Sequence, residues 1–369
     1  MSGSAPSGFV AWLEECNASS TADVGGKCAG LGELLAAGFP VPPGFAITTR
    51  AHRAFLAENR LVEHISRALA SLDPEDVASL EQASEAVGEL TAAAVFPPAV
   101  AEAVHDAYSL LARRCGEDGV PVAVRSSAVA EDLATASFAG QLQTYLWVRG
   151  PEEVLRHTRR CWASFYRASA LGYRKRMGLA DEEALMSVGV QRIVDARAAG
   201  VLFTLNPTNG DRSKVVIEAS WGLGEAVVQG EVNPDRYVVD KVTLDVIERS
   251  ISGKEIEYRF DPAAGKVVAA AIEGERRSRA CLTDDDVIAL AEVGKRIERH
   301  YGSPQDVEWA LEGESSGSGA LYVLQSRPET VWSRKPVTPI AGPKRSALDY
   351  VVADLVGRAK GERKEGSPE

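Results

Sequence analysis

Residues 122–141 read VAVRSSAVAEDLATASFAGQ. The apolar run Val122 to Val124 delivers Arg125 at the end of a strand, and two hydroxyls, Ser126 and Ser127, follow at once. Glu131 and Asp132 come next, then small residues from Ala134 to Gly140, with Ser137 among them. A strand-end guanidinium beside serines suits the oxygens of a triphosphate, and a loop of small residues is free to close over it. A surface loop whose arginine pairs with Glu131 or Asp132 is the competing reading, and this segment alone does not separate the two.

Working outward, residues 24–49 read VGGKCAGLGELLAAGFPVPPGFAITT. This is a Gly-rich turn, a helix from about Gly30 to Ala37, a proline-interrupted loop and a strand. Gly25-Gly26-Lys27 at a helix start lets backbone N–H groups approach an anion while Lys27 supplies a mobile cation. It is not a Walker A loop, and a helix-capping turn with a solvated lysine has the same spelling.

On the other side, residues 305–311 read QDVEWAL and residues 322–328 read YVLQSRP, joined by a Gly/Ser turn. These are the strands of a hairpin. Asp306 and Glu308 lie two apart and so share a face, as do Gln325 and Arg327. Two carboxylates, an amide and a guanidinium on paired strands are the groups that hold Mg²⁺ and phosphate together. Cross-strand salt bridges on a solvated face would use the same residues.

Between these segments the chain mixes helices and strands. Residues 51–115 carry apolar residues at helical spacing, broken at Pro97-Pro98. Strand-like runs follow at 120–127, 143–148, 187–194, 199–205 and 214–222, with helices over Glu152–Lys175 and Asp284–Tyr301. The elements do not alternate strictly, which points to α+β lobes and not to a doubly wound sheet.

Composition sets the outer limits. The 369 residues carry a formal net charge of −11, with 45% hydrophobic and 25% charged residues. An acidic surface disfavours a nucleic-acid binder, whose footprint is basic, without excluding a local cluster of Lys and Arg around ATP. Five cysteines, odd in number and without a CxxC pair, suggest neither a zinc site nor a disulfide framework. The first residues show no basic and apolar leader, and no run reaches membrane-spanning length, so a cytoplasmic protein without membrane contact is expected.

Six segments stand in an order that resembles phosphoenolpyruvate synthase and the matching part of pyruvate phosphate dikinase. They are residues 25–48, 123–141, VQRIV (190–194), ASWGLGEAVVQGEVNPD (219–235), YGSPQDVEWA (301–310) and LQSRPETVWS (324–333). The resemblance runs from about Val24 to Trp332. It implies a two-lobed ATP-grasp fold closing on ATP and Mg²⁺, with an N-terminal lobe over 1–190 and a C-terminal lobe over 191–334. Residues 335–369 would form a linker, a short amphipathic helix and a disordered tail, with no swivelling phosphohistidine domain and no C-terminal barrel.

The resemblance also assigns residues. Lys27 and Arg125 match the triphosphate contacts, and Ser137 to Gly140 match the phosphate lid. Gln191, Ile193 and Val194 fall where the hinge strand meets adenine. Asp306, Glu308, Gln325 and Arg327 match the metal and phosphate cluster, with Glu308 and Gln325 as metal ligands. Lys27, Arg125 and Arg327 are the groups expected to act on the transferring charge. Glu218, Glu225 and Asp235 lie in matching segments with no role assigned.

In this family ATP gives a pyrophosphoryl group to a histidine within a Gly-Gly-x-x-Cys-His pattern. None of the five histidines here stands in that context, and His52 and His64 read as surface positions. The expectation is therefore an ATP-binding component that needs a separate subunit carrying the phosphohistidine domain. Phenylphosphate synthase resembles phosphoenolpyruvate synthase divided in this way. The acceptor would be a small molecule such as pyruvate or phenol. A stand-alone kinase of a small molecule and a catalytically idle ATP-binding regulator are the alternatives.

Overall fold

Gly38 at φ 77° ends the first helix, and prolines at 40, 42 and 43 hold the chain extended into four residues that are wholly buried, which is how the first sheet begins. The structure, a computed structural model, describes residues 8–70, 72–128, 143–176, 185–313 and 319–333. In chain order the elements are β1 (Val10–Trp12), α1 (Thr21–Ala36), β2 (Gly44–Ile47), α2 (Thr49–Glu58), α3 (Leu61–Leu69), α4 (Val77–Ala93) and α5 (Pro98–Cys115). Next come β3 (Val122–Ala128), β4 (Thr144–Val148), α6 (Pro151–Ser164), α7 (Ala168–Arg176), β5 (Met186–Arg192), β6 (Ala196–Phe203) and β7 (Lys214–Trp221). A short α8 (Glu225–Val228) precedes β8 (Asp235–Asp240), β9 (Val246–Ser250), β10 (Ile256–Asp261) and β11 (Lys266–Ala271). The chain continues with α9 (Asp284–Tyr301), β12 (Gln305–Glu312) and β13 (Leu321–Pro328).

The fold is α+β. One antiparallel sheet has the order β1-β2-β5-β3-β4, and a second has the order β13-β12-β6-β7-β8-β9. The hairpin β10-β11 stands beside them. The first sheet is covered by α2 to α7, and Phe45, Phe55, Val87, Leu111, Trp162 and Val188 fill the space between. The second is covered by α9 and also by α1, whose Leu31 and Leu34 join Leu202, Ile217, Leu290 and Trp309. The helix that opens the chain thus serves the core of the second sheet.

A boundary at 190/191 cuts through β5, where Gln191 and Arg192 are still paired with β3. Residues 1–329 form one unit; of the remainder only Thr330–Ser333 are described, and the tail expected over 335–369 lies outside the described residues. The single helix expected over Glu152–Lys175 is two, α6 and α7. Phe165 and Tyr166 turn into the core at the break, and the Phe165 N–H tightens the last turn by donating to the Trp162 carbonyl at 3.3 Å. α9 spans the residues expected of it, capped by Thr283 and Asp286 and ended by Gly302 at φ 69°.

His52 is a second correction. It is buried, not on the surface, stacked on Trp162 with centroids 4.6 Å apart, and its Nδ1 accepts the Met186 N–H at 3.1 Å. Three apolar positions of α2 turn the same way, which amphipathic spacing alone does not assign to a histidine. His64 is exposed as expected. Among the described residues no single helix is long and apolar enough to cross a membrane.

Candidate functional site

Gly25 decides how the N-terminal turn meets the first sheet. Its φ is 71°, and a Cβ there would lie 2.1 Å from the Ser127 carbonyl oxygen. Only glycine allows that approach. The Ser127 hydroxyl locks it, donating to the Val24 carbonyl at 2.8 Å while its oxygen accepts from the Cys28 N–H at 3.3 Å. Lys27 is thereby held beside β3, and Lys27 and Arg125 line one cleft of about 700 Å³.

Arg125 reaches out of the first sheet to the β12-β13 hairpin of the second. One terminal nitrogen donates to Glu308 Oε2 at 2.8 Å and to Gln325 Oε1 at 3.2 Å, and the other donates to the Leu324 carbonyl at 3.1 Å. Glu308 stands directly opposite Gln325 in the hairpin, and Asp306 stands opposite Arg327. The face sharing expected from residue spacing is realised as cross-strand pairs.

Glu308, Gln325 and Arg327 line the cleft. Asp306 does not, and Arg327 Nε donates to its Oδ2 at 3.3 Å. Burial pushes the Asp306 carboxyl up, against the opposing pull of Arg327, and its Oδ1 finds no hydrogen-bond partner among the described residues.

The far wall of the cleft is apolar. Ile193, Val194, Ala196, Ala199, Leu223 and Ala310 form a small cluster of their own, flanked by Leu146, Tyr322 and Leu324. Such a shelf takes a flat ring and leaves the charged groups for an anionic tail. Gln191 lies at its edge, buried, with its side-chain amide donating to the Pro42 carbonyl at 3.2 Å. Ser137 and Gly140 lie outside the described residues.

Two further groups stand on the cleft wall: Arg192, which the sequence reading did not single out, and Glu225, which it named without a role. Arg192 follows Gln191, holds Glu312 through two bonds of 2.9 and 3.2 Å, and covers the Tyr322 ring at 5.2 Å. This is a second bridge between the sheets. Glu225, at the start of α8, has its carboxyl pushed up by burial, although Arg125 favours its charged form. The Gly-x-Gly turn before Glu225 was the available signal. Glu218 also titrates high through burial, but it does not line the cleft. The site gathers Lys27, Arg125, Arg192 and Arg327 in a chain of net charge −11.

Residues 21–347 match the family described as pyruvate phosphate dikinase, AMP/ATP-binding domain. The chain belongs to that family. As a pyruvate phosphate dikinase AMP/ATP-binding domain it also resembles curated phosphoenolpyruvate synthases along most of its length. It is 42% identical over 322 residues to a probable phosphoenolpyruvate synthase of Methanocaldococcus jannaschii, covering 87% of this chain and 27% of that protein. The figures for the probable enzyme of Methanothermobacter thermautotrophicus are 42%, 87% and 46%. For the phosphoenolpyruvate synthase of Aeropyrum pernix they are 40%, 89% and 43%. The chain spans less than half the length of each of these relatives.

Proposed function

We propose that this chain is the ATP-binding, pyrophosphoryl-donating component of a phosphoenolpyruvate-synthase-type dikinase with an ATP-grasp fold. The observation that carries the proposal is Arg125 joined to Glu308 and Gln325 across two sheets, beside Lys27 and facing an apolar shelf. Adenine would lie on the shelf at Gln191, Ile193 and Val194. The triphosphate would run toward Lys27, Arg125 and Arg327, with Asp306 holding Arg327 in place.

The donor set suits Mg²⁺. Glu308 and Gln325 present two hard oxygens to a single Arg125 nitrogen, so they already converge on one point. Among the described residues no group of three or more His, Cys, Asp or Glu could hold a metal on its own. That fits an ion which keeps waters and takes phosphate oxygens in its shell. Bound there, Mg²⁺ would offset charge on the phosphates during transfer. Arg125 would exchange its carboxylate partner for phosphate oxygens, and Lys27 and Arg327 would hold the charge of the transferring group.

The nucleophile comes from outside these residues. His52 is buried, His64 is exposed on α3, His105 faces Glu152, His157 packs on Tyr145 and His300 meets Phe39 and Tyr301 edge-on. None lines the cleft. A histidine on a separate phosphohistidine-bearing subunit would attack the β-phosphorus and release AMP; water would then take the terminal phosphoryl group as phosphate, and the remaining phosphoryl group would pass from the histidine to a small-molecule acceptor.

The test is ATP labelled with phosphorus-32 at the β position, given to the purified chain with Mg²⁺, with and without lysate of the source organism. Acid-labile label on a second polypeptide together with AMP supports the proposal. ADP formed by the chain alone would replace it with a direct kinase, and tight binding without any product would replace it with a regulator.

A further inference from the structure

The edge strand β4 departs from regular pairing at one point. Val122 faces Val148 and Val124 faces Tyr145, so Ala123 alone stands opposite both Leu146 and Trp147. The bulge puts Trp147 at φ 61°, a left-handed conformation that bulky residues adopt only at a steric cost. Strict alternation would send Leu146 and Trp147 to opposite faces of the sheet. With the bulge, both pack against the apolar shelf of the cleft.

The indole ring then lies flat on Phe260 of β10, with centroids 4.6 Å apart and planes 8° apart. Trp147 Nε1 is buried and finds no hydrogen-bond partner among the described residues, so no polar contact explains the placement. A strained backbone and an indole N–H without a partner among the described residues are both unfavourable, and they occur where the first sheet meets the β10-β11 hairpin.

From Phe260 the connection continues to the opposite wall of the cleft. Two residues earlier, the Tyr258 carbonyl accepts the Leu223 N–H at 2.8 Å. A Cβ on Gly222 would come within 2.5 Å of the same oxygen, so the hairpin sits directly on the 222–225 turn. Leu223, Gly224 and Glu225 line the cleft on that side, and Leu146, next to Trp147, lines it on the other. The stack therefore joins two walls that belong to different sheets.

We infer that Trp147 and Phe260 are positioning residues, a clasp that holds the apolar shelf closed around the base of a bound nucleotide without touching it. This rests on the nucleotide reading of the cleft. Loss of the stack should loosen the grip on the base and leave the grip on the phosphates unchanged, because Lys27, Arg125 and Arg327 are held by other contacts.

The experiment is titration calorimetry of the full chain with ATP and, separately, with inorganic tripolyphosphate. Phe260→Ala and Phe260→Leu should each weaken ATP about three- to tenfold, the range an aromatic pair carries, with tripolyphosphate unchanged. Phe260→Tyr, which keeps the stack, should bind both like the parent. Thermal melting identifies any variant that has lost its fold, and the leucine variant retains apolar volume if the alanine one has. Equal losses for both ligands, no loss for either, or a tyrosine variant as weak as the alanine one would each overturn the clasp. A parent chain that binds no ATP at all would remove the nucleotide reading first, and the clasp with it.

Discussion

Asp235 closes the segment ASWGLGEAVVQGEVNPD, and its surroundings allow a quantitative test. The carboxylate and the Lys254 ammonium have no solvent exposure, and they meet at 2.5 Å. Asp235 Oδ1 also accepts the Ser252 N–H at 3.0 Å, Oδ2 accepts the Cys281 N–H at 3.0 Å, and Lys254 donates further to the Ser252 carbonyl at 3.0 Å. Asp235→Asn keeps the shape but turns an NH2 group toward donors and leaves the ammonium buried without a counter-charge.

Breaking a buried pair from one side costs about 3–5 kcal/mol, far more than the pair itself contributes. At about 1.4 °C per kcal/mol for a unit of this size, the melting midpoint should fall by roughly 4–7 °C. Lys254→Met alone should also destabilise, by stranding the carboxylate. The double variant should recover at least half of the Asp235→Asn loss, because a pair replaced on both sides is close to neutral. Urea unfolding followed by tryptophan fluorescence, with slopes compared among variants, measures all four corners of the cycle. A loss below about 1 kcal/mol for Asp235→Asn would refute the reasoning, because costs that small belong to exposed pairs. A double variant showing the plain sum of the two single losses would refute it as well.

Three further outcomes are expected. Lys27→Ala and Arg327→Ala should each lower AMP formation at least about a hundredfold, the scale of losing one charge-stabilising donor, with melting midpoints close to the parent; unchanged turnover in either would reject its assignment. Glu308→Gln should raise the Mg²⁺ concentration needed for half-maximal activity more than it weakens nucleotide binding, and equal effects in the two titrations would show a role that is not metal-specific. His52 contributes to the acid limb: burial lowers its pKa from 6.5 to about 3, so between those values the unfolded chain binds a proton that the folded chain refuses. Stability should therefore fall as pH drops below 6.5, and His52→Asn should show a flatter profile between pH 6.5 and 4; identical slopes in urea titrations at each pH would dismiss this contribution.

Local order was legible from the chain where one residue's chemistry was enough. The proline-interrupted loop marked the entry to β2, the helix expected over Asp284–Tyr301 is α9, and the two-residue spacing of Asp306 with Glu308 and of Gln325 with Arg327 set their common face. The six ordered segments identified the family, because motif order is a property of the sequence alone. By contrast, β8 to β11 gave no clear signal: β9 and β11 are largely exposed, so their apolar patterning is weak.

The tertiary structure decided which partners these residues meet. Arg125 and Glu308 are 183 positions apart, and no local pattern could choose between Glu308 and the nearby Glu131 or Asp132 as the arginine's partner. Asp235, left without a role by the sequence, pairs with Lys254 only because folding removes both from water together. His52 became a core residue because Trp162, arriving from α6, covered it. Trp147 packs against the apolar shelf because a bulge turned it there. In each case the deciding energy is desolvation or packing against a distant element. Spacing along the chain sets which face a side chain occupies, and only the assembled sheets set what that face meets.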